Sequence, residues 1–370
     1  MDPQTIFCPN PDCSAKGQVG QGNIIIHSQK EHRCKCTICG KTFTVTKGTP
    51  FYRLRTSIDI VCIIITLLAH GCPIQAIVAA FGFDERTVEE WHRRAGEHCE
   101  KVQTHLVQDQ PRDLGHVQAD EIRVKVQGGI VWMALAIMVS TRLWLGGVVS
   151  AHRDMDLITA LAQRVRACAL CRPLLLCVDG LVSYVSAFQR ACRTPLPTGQ
   201  RGRPRLIPWP DVNIAQVVKQ YQRGRVISVV RRIVQGTTEQ VRHLLKCSQN
   251  GGVINTAYIE RLNGTFRQRM AMLVRRGRAL ARHPETLHGS MYLIGTVYNF
   301  CTNHRSLRVA ILLPRNRRHW VHRTPAMAAG ITDHRWTVRE LLSFRIPPPP
   351  FVPPKRRGRP PKIESAAVAL

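Results

Sequence analysis

The sequence predicts an α/β protein in which a mixed sheet with flanking helices follows two small N-terminal modules. Paired cysteines mark the first module, apolar residues at helical spacing mark the second, and strand-like runs alternate with helical runs in the third. A chain of 370 residues is long enough for one large core and smaller accessory domains. We therefore expect two or three structural units.

The first module, residues 1–52, contains two cysteine knuckles. The segments CPNPDC and CTICG lie on either side of the β-rich interval NIIIHSQKEHR. Two such knuckles, facing each other across a hairpin, supply the four soft ligands of one structural Zn²⁺, as in a zinc ribbon. The predicted ligands are Cys8, Cys13, Cys36 and Cys39. Cys34 is the alternative to Cys36, because the run C-x-C-x₂-C fits either register, and four unligated thiols are the alternative to the site.

The second module, residues 53–110, has apolar residues at helical spacing. One run ends near Gly71, and the next begins at Pro73 and stops at Gly82. A third run starts after Asp84, a residue type that caps helix N-termini. Two helices joined by a turn that contains glycine predict a helix-turn-helix domain.

The third helix of this module has a buried side and a basic side. Val88, Trp91 and Ala95 recur at i, i+3 and i+7, the spacing of one buried face. The side chains left for a DNA groove are Arg86, His92, Arg93 and Arg94. Glu89 and Glu90 disfavour DNA contact because carboxylates repel phosphates, and a plain helical bundle would show the same spacing.

Residues 111–310 alternate between strand-like and helical runs. GHVQADEIRVKV, GIVWMALAIMV and TRLWLGGVVSA are separated by short turn segments and predict successive hairpins. The helical run DMDLITALAQRVRACA, the apolar strand RPLLLCVDGL and the helix VSYVSAFQRAC follow. Three antiparallel strands, a helix, a parallel strand and a helix give the element order of ribonuclease H.

Basic stretches interrupt and follow this pattern. We predict an insertion near 193–236, in which a Pro- and Arg-rich stretch is followed by two β-like runs up to Gly236. We also predict a basic helical segment at 311–345 and a disordered tail at 346–370. The tetrapeptide RGRP occurs at 201–204 and 357–360, and its Arg-Gly-Arg core can enter an A·T minor groove as an AT-hook. In the tail copy the two arginines are Arg357 and Arg359. A solvated basic linker is the alternative for both copies.

The overall composition favours a nucleic-acid partner. Lys and Arg number 53 against 24 Asp and Glu, which gives a formal charge of +29, and 42 of the 53 are Arg. The rigid guanidinium fork binds phosphate in a way that a lysine ammonium cannot. A polyanion, nucleic acid first, is the expected partner, and a soluble protein with a merely basic surface is the alternative.

Cysteine usage and hydropathy predict a cytoplasmic protein. Most of the 14 cysteines lie singly in apolar or helical runs, which indicates a reducing compartment rather than a disulfide scaffold. The opening MDPQTIFCPN lacks the pattern of a signal peptide. The longest apolar runs, 60–69 and 130–139, are shorter than the ~20 residues that cross a bilayer, so no membrane partner is expected.

Three acidic residues have the setting of metal ligands. Asp120 lies inside the strand QADEIRV, and Asp179 ends the strand LLLCVD, where open α/β sheets place their sites. Glu260 lies on the predicted helix NTAYIERLNGTFRQRM, on one stripe with Asn263 and Arg267. Three carboxylates around one point can hold two Mg²⁺ or Mn²⁺ ions, which activate one oxygen and stabilise the leaving one at a phosphodiester.

The surroundings of these acids are basic. Between Glu260 and Glu285 there is no acid, but there are seven arginines that can hold a polyanion over the metals: Arg261, Arg267, Arg269, Arg275, Arg276, Arg278 and Arg282. Glu121 is the alternative to Asp120, although the alternation of a strand directs it to the opposite face. Each acid taken alone is more simply a salt-bridge or solvated residue.

These segments, together with YNFCTNHRSLR and RTPAMAAGITDHRWTVRELL, resemble the DDE transposases of bacterial insertion sequences. The resemblance covers roughly residues 8–345, and its most specific part is the glutamate helix with the segments C-terminal to it. It implies a ribonuclease H-like catalytic domain with Asp120, Asp179 and Glu260 as the metal triad. Arg267 takes the place where the family often has a basic residue.

The resemblance implies metal-dependent DNA cleavage and strand transfer at the ends of an insertion sequence. The implied partners are double-stranded DNA, as terminal repeats and target, and further copies of the chain in a synaptic homo-oligomer at the nucleoid. Two other functions fit the same residues. One is a transposase-derived DNA-binding regulator that does not cut, and the other is a structure-selective nuclease that does not join.

Overall fold

The computed structural model describes residues 2–196, 202–273, 283–313, 317–349 and 351–352. They belong to two compact units, one made of Met1–Gly48 with Pro347–Leu370 and one made of Thr49–Ile346. Several sequence predictions lie outside the described residues: those on Arg201, Arg275, Arg276, Arg278, Arg282, Arg357 and Arg359, and on the tail from 353 onward.

The smaller unit is built on a three-stranded antiparallel sheet. Its strands, in the order β1-β2-β3, are β1 (Ile24–Ser28), β2 (Arg33–Cys36) and β3 (Thr42–Thr44). Few large apolar side chains, such as Ile6, Ile24 and Phe43, pack around the buried cysteines. The prediction of disorder from 346 onward is wrong at its start, because Pro348 lies against Gly17 and the Phe351 ring lies 5.9 Å from the Lys16 ammonium.

The larger unit begins with the three predicted helices, α1 (Ile58–Ala69), α2 (Ile74–Phe81) and α3 (Glu85–Gln103). Asp84 caps α3 as expected, since its Oδ1 accepts a hydrogen bond from the Arg86 N–H at 2.9 Å. Gly82 ends α2 in the left-handed conformation, with φ at 71°, which glycine adopts without steric cost. A π-helical turn over Thr104–Gln108 then extends α3.

The remaining elements follow in chain order: β4 (His116–Val126), β5 (Gly129–Met138), β6 (Trp144–Ser150), α4 (Met155–Cys168), β7 (Leu174–Asp179), α5 (Val182–Ala191), β8 (Arg193–Pro195), β9 (Leu206–Pro208), β10 (Val212–Gln222), β11 (Arg225–Gln235), α6 (Thr238–Gln249), α7 (Ala257–Arg269), α8 (Pro284–Phe300), β12 (His304–Leu313), β13 (Arg317–Arg323), α9 (Pro325–Ala328) and α10 (Val338–Ser343). No helix among the described residues combines the length and the apolar character that a bilayer crossing requires.

Six strands form the central mixed sheet, in the order β11-β10-β7-β4-β5-β6. β4, β5 and β6 are antiparallel neighbours, whereas β7 runs parallel to both β4 and β10. The predicted α/β class, with a mixed sheet and flanking helices, is confirmed. The predicted insertion at 193–236 is wrong in its second half, because the apolar start of β10 is buried beside β7. In the first half, β8 and β9 pair with each other in a separate two-stranded sheet.

Helices cover both faces of the sheet. α4 and α5 pack against one face, where alternate β4 residues such as Val117 and Ala119 are buried. α7 and α8 pack against the other face, over Ile122 and Trp144, and α6 covers β7 and β10 on that same side. The two faces of β4 therefore point to different helix layers.

The N-terminal helices of this unit share the core of the sheet. Val88 and Trp91 of α3 belong to the same apolar cluster as Trp144 of β6. α3 and α8 approach so closely that a Cβ at Gly96 would lie 2.7 Å from the Gly289 backbone. Glycine at 96 is thus required by the packing of two helices that are far apart in sequence.

The predicted helical segment at 311–345 is wrong in its first part. Residues of β12 and β13 pair as an antiparallel hairpin, with Ala310 opposite Trp320 and Val309 opposite Val321. β-branched and aromatic side chains at alternating positions favour a strand over a helix. Only the short helices α9 and α10 follow the hairpin.

Candidate functional site

Four cysteines of the smaller unit form the predicted cluster. The Sγ atoms of Cys8, Cys13, Cys36 and Cys39 lie within 4.8 Å of one another. Cys34 lies outside this group, in the middle of β2 opposite Ile26 and Phe43, so the structure selects Cys36. The cluster has the ligand types and the compactness of a tetrahedral zinc site.

The Cys39 thiol of this cluster ionises more easily than an ordinary thiol. Burial opposes its ionisation, but hydrogen bonds from the Lys41 backbone and from Asn10 lower its pKa to about 7. A metal binds the thiolate form. The local hydrogen bonds therefore prepare this position for a cation.

The acidic site begins where β4 and β7 separate. Their ladder stops at the pair Gln118 and Cys177, so Asp120 and Asp179 lie just beyond the last hydrogen-bonded pair. β7 ends at Asp179, whereas β4 continues along β5. An opening at the end of a parallel pair is the usual place for a site in an α/β sheet.

Two polar side chains of β4 position α7 over this opening. The Gln118 Oε1 accepts hydrogen bonds from the backbone N–H groups of Tyr258 and Ile259, at 2.9 and 3.1 Å, and so satisfies the first turn of α7. Two residues on, Asp120 Oδ2 accepts a hydrogen bond of 2.8 Å from the Asn263 amide. Both side chains lie on the α7 face of β4, which fixes the helix against the strand.

Glu260 reaches the same cleft but is held by a lysine. An open cleft of about 410 Å³ is lined by Asp120, Asp179 and Glu260, as the sequence predicts. The Glu260 Oε1 accepts hydrogen bonds from Lys219 Nζ at 2.7 Å and from Thr256 Oγ1 at 2.9 Å, and its side chain is 48% exposed. Glu260 is not one of the three acids whose carboxylate oxygens lie within 4.8 Å of one another.

Glu121 is the third member of that close group. It points to the opposite face of β4, as expected, and its side chain is 1% exposed. Arg153 Nη2 lies 3.3 Å from Glu121 Oε2 and 3.4 Å from Asp179 Oδ2, and so bridges the two carboxylates. The expectation that its orientation separates Glu121 from the site is wrong, because β7 ends at Asp179 and side chains from both faces of β4 reach it.

Burial and mutual repulsion disfavour full ionisation of these acids. Burial, with the charges of Asp179 and Glu260, raises the pKa of Asp120 to about 6. Burial and the same kind of repulsion raise the pKa of Glu121 to about 7. Burial also opposes ionisation of Glu260, but the hydrogen bonds from Lys219 and Thr256 lower its pKa below the ordinary value.

The donor set fits a hard divalent cation. The oxygens of Asp120, Glu121 and Asp179 converge, and Glu121 Oε1 is buried without a hydrogen-bond partner among the described residues. Carboxylate oxygens are the ligands that Mg²⁺ and Mn²⁺ prefer. A cation here would offset the repulsion that raises the carboxyl pKa values.

The predicted DNA-facing side chains of α3 are mostly engaged elsewhere. Arg93 and Arg94 both pair with Glu90, at 2.7 and 2.8 Å, and Arg93 also pairs with Glu97. His92 is directed to α8, where its ring lies 3.3 Å from Ser290 Oγ. His92 is thereby directed away from a groove, contrary to the expectation, whereas Arg86 and Arg93 are exposed.

The two described basic residues late in α7 lie on different sides of the helix. The charge of Arg267 acts on Asp120, in agreement with its predicted place at the cleft. Arg269 instead lies against Gly71 and donates to Thr302 Oγ1 at 3.5 Å. Its predicted role beside the metals is therefore not supported by its position.

Sequence reasoning missed Gln118, Arg153, Lys219 and Thr256. Gln118 had a usable signal, since it precedes Asp120 by two residues on the same strand face. Lys219 was hidden in the segment interpreted as an insertion, although the pairing of Val217 with Asp179 places it two residues beyond the cleft edge. No family model matches the chain, and no curated protein matches it.

Proposed function

We propose that this protein is a metal-dependent DNA strand-transferring enzyme of the DDE transposase type, with a ribonuclease H-like catalytic domain. The observation that carries the proposal is the convergence of Asp120, Asp179 and Glu260, from two strands and a helix, on one cleft. The resemblance of the glutamate helix and the charge of +29 support the same conclusion. The substrate would be the ends of an insertion sequence and a target DNA.

The three acids would hold two Mg²⁺ or Mn²⁺ ions, and the cysteine cluster would hold one structural Zn²⁺. Bound Mg²⁺ or Mn²⁺ supplies activation of an attacking oxygen and stabilisation of the leaving oxygen at a phosphodiester. Glu121 is close enough to Asp120 and Asp179 to support the same cations. The fit rests on convergent hard oxygen ligands and on the raised pKa values of Asp120 and Glu121.

The chain's own residues would position the DNA backbone over these acids. Lys219 and Arg153 line the cleft, and each already binds a carboxylate there. A phosphodiester oxygen can take over such a donor, because charge-assisted hydrogen bonds to phosphate and to carboxylate are similar in kind. Asn263 would hold Asp120 in place, and Gln118 would hold the start of α7.

The remaining parts would bind DNA outside the cleft. The zinc ribbon and the exposed Arg86 at the start of α3 would contact the terminal repeats, mainly through phosphates. Pairing of two DNA ends would require a homo-oligomer, and the enzyme would act in the cytoplasm at the nucleoid. These assignments rest on the resemblance and on charge.

A second function is favoured by one observation. Lys219 binds Glu260, which lies outside the close group of Asp120, Glu121 and Asp179. If Glu260 stays in this ion pair, it does not bind a metal with the other acids, and the protein would act as a transposase-derived regulator that holds DNA without cutting it. The intact acidic residues favour the enzyme. DNA retention is common to both functions, so only cleavage separates them.

Substitution of the acids tests the proposal. On a plasmid that carries the DNA flanking this gene on both sides, with Mg²⁺, we expect Asp179→Asn and Glu260→Gln to lower nicking at least about 100-fold. Retention of the same DNA in EDTA should change less than about twofold, because neither variant removes a basic group. Asp156→Asn, an exposed acid on α4, is the matched control.

The products decide among the three functions. Joined products with free 3′-hydroxyl ends support the transposase, and nicks without joining support a nuclease. DNA retention by the wild-type protein without nicking supports the regulator. Nicking that survives both substitutions would show that these acids are not the catalytic group.

A further inference from the structure

The edge of α7 that faces away from the cleft carries a second polar group. Glu260, Asn263 and Arg267 lie on the cleft edge of the helix, whereas Tyr258, Arg261 and Arg269 recur at i, i+3 and i+11 on the other edge. The buried face of the helix, which contains Ile259 and Phe266, separates these edges. The second edge faces Arg142 of the β5–β6 turn, Tyr298 of α8 and His304 of β12.

These six side chains, Tyr258, Arg261, Arg269, Arg142, Tyr298 and His304, form what we call the α7 cationic cluster. The Arg142 guanidinium lies 4.0 Å above the Tyr258 ring, and the ring centroids of Tyr298 and His304 are 4.6 Å apart. The charges of all three arginines act on the buried Tyr298. The three guanidinium groups therefore lie near the same side chain, Tyr298.

The cluster lacks a counter-ion within the part of the chain that the structure describes. None of its arginines takes part in the ion pairs found there. The two stretches outside that part that follow α7 and β12 in the sequence, 274–282 and 314–316, contain no Asp or Glu. Partly buried guanidinium groups without an anion are unfavourable, and burial accordingly lowers the pKa values of Arg142 and Arg269.

Buried hydrogen-bonding atoms without partners also indicate that the α7 cationic cluster lacks an anionic partner. Arg142 Nη1 and His304 Nε2 are buried and have no partner among the described residues. The backbone of Arg142 has φ at 61°, in the left-handed region that a residue other than glycine adopts uncommonly. Strained backbone of this kind occurs preferentially at ligand sites.

We propose that the α7 cationic cluster binds one phosphate group at a site separate from the cleft. Guanidinium forks and an imidazole N–H match the oxygens of a phosphate in geometry and charge. The most direct source is a backbone phosphodiester of bound DNA, and this source rests on the proposed function. Recognition of phosphate itself does not rest on it.

Binding of inorganic phosphate to the full chain tests the site without metal or cleavage. We expect phosphate, in a chloride buffer with EDTA, to raise the melting temperature of the wild-type protein in a saturable manner. Arg142→Gln and Arg269→Gln should weaken phosphate binding about tenfold or more, since each removes a charge-assisted hydrogen bond. Arg190→Gln, an exposed arginine on α5 across the sheet, is the matched control and should bind phosphate like the wild type.

The unliganded proteins distinguish a binding role from a packing role. If Arg142 serves a ligand, Arg142→Gln should leave the melting temperature without phosphate unchanged or raised, because an unpaired charge is removed. A lower melting temperature together with an unchanged phosphate shift would show mere packing on Tyr258 and overturn the proposal. Should that variant not fold, the exposed Arg261→Gln must weaken phosphate binding instead.

Duplex DNA identifies the source of the phosphate. Displacement of inorganic phosphate by a DNA duplex in EDTA, with weaker duplex binding by Arg142→Gln, supports the DNA backbone. Failure of a duplex to compete supports a free phosphate or a small phosphorylated ligand at the same site. Absence of a phosphate shift in the wild type would overturn the site, whatever the outcome for nicking at Asp179 and Glu260.

Discussion

Burial and the neighbouring carboxylates both oppose the ionisation of Asp120. It lies half-buried beside Glu121 and Asp179, and the Asn263 amide donates a hydrogen bond to it. A carboxylate in such a place is unfavourable until a cation arrives. The residue that matters most for the proposed chemistry should therefore lower the stability of the metal-free protein.

We expect Asp120→Asn to raise the free energy of unfolding in EDTA at pH 7.5. The folded pKa of about 6 exceeds the ordinary 3.8, so the penalty is absent below pH 3.8, builds as pH rises to 6 and is complete above. The gain should reach up to about 3 kcal/mol at pH 7.5 and vanish near pH 4. Urea denaturation at the two pH values measures it, with Asp156→Asn as control, and an equal gain at both would contradict this account.

At the scale of elements, the three sides of α7 contact three different parts of the larger unit. One edge faces the cleft through Glu260, the buried face packs on the sheet through Phe266, and the other edge carries the α7 cationic cluster. The bonds from Gln118 fix where the helix starts. A shift of this one helix would disturb both polar groups together.

The knuckles of the smaller unit make an element-scale prediction about zinc. We expect about one Zn²⁺ per chain in the wild type, loss of most of it in Cys36→Ser, and near-normal content in Cys34→Ser, because only Cys36 lies in the cluster. The smaller unit has few apolar side chains, so loss of metal should also unfold it. Metal release measured with a chromogenic chelator tests this. Equal loss of zinc in both variants would contradict the choice of Cys36 over Cys34 as the ligand.

At the scale of the whole molecule, charge would decide how the proposed DNA substrate is held. The formal charge of +29 is carried mainly by arginine. The carboxylates of the cleft are a small negative region on this positively charged protein. The positive surface would attract the DNA backbone, whereas the cleft carboxylates would repel its phosphates until cations bind there. Binding and chemistry should therefore respond differently to ions.

DNA retention in EDTA should fall steeply with salt. Each neutralised phosphate contributes about −0.9 to the slope of log K against log salt, so six contacts or more predict a slope of about −5 or steeper. Asp179→Asn should keep that slope, because it removes no cation. Filter binding between 50 and 200 mM salt, roughly the range in which such contacts are lost, measures it. A slope shallower than about −2 would count against a phosphate-dominated interface.

Local signals made much of this fold predictable. The helix ends at Gly82 and the cap at Asp84 follow from backbone chemistry, and the place of Asp179 follows from its position at the end of an apolar strand. The β-like character of β10 and β11 follows from their sequence, but the Pro- and Arg-rich stretch before them led to their assignment to an insertion rather than to the sheet. Only tertiary pairing with β7 reveals that they complete the sheet.

The details of the cleft depend on contacts that periodicity cannot supply. Strand alternation gives the direction of Glu121 but not its distance from Asp179, which depends on where β7 ends. The bond between Lys219 and Glu260 joins residues 41 positions apart in the chain. Likewise, the helical spacing of α3 does not reveal that His92 meets Ser290 of α8.

The close approach of Gly96 to Gly289 has an evolutionary consequence. Because α3 and α8 meet backbone to backbone, and because α3 shares its apolar cluster with the sheet, this helical segment cannot be exchanged as a cassette. Recombination that imported another helix here would need a residue as small as glycine at the point of contact with α8. Lineages descended from this chain should therefore change α3 by substitution of its exposed side chains rather than by exchange of the helix itself.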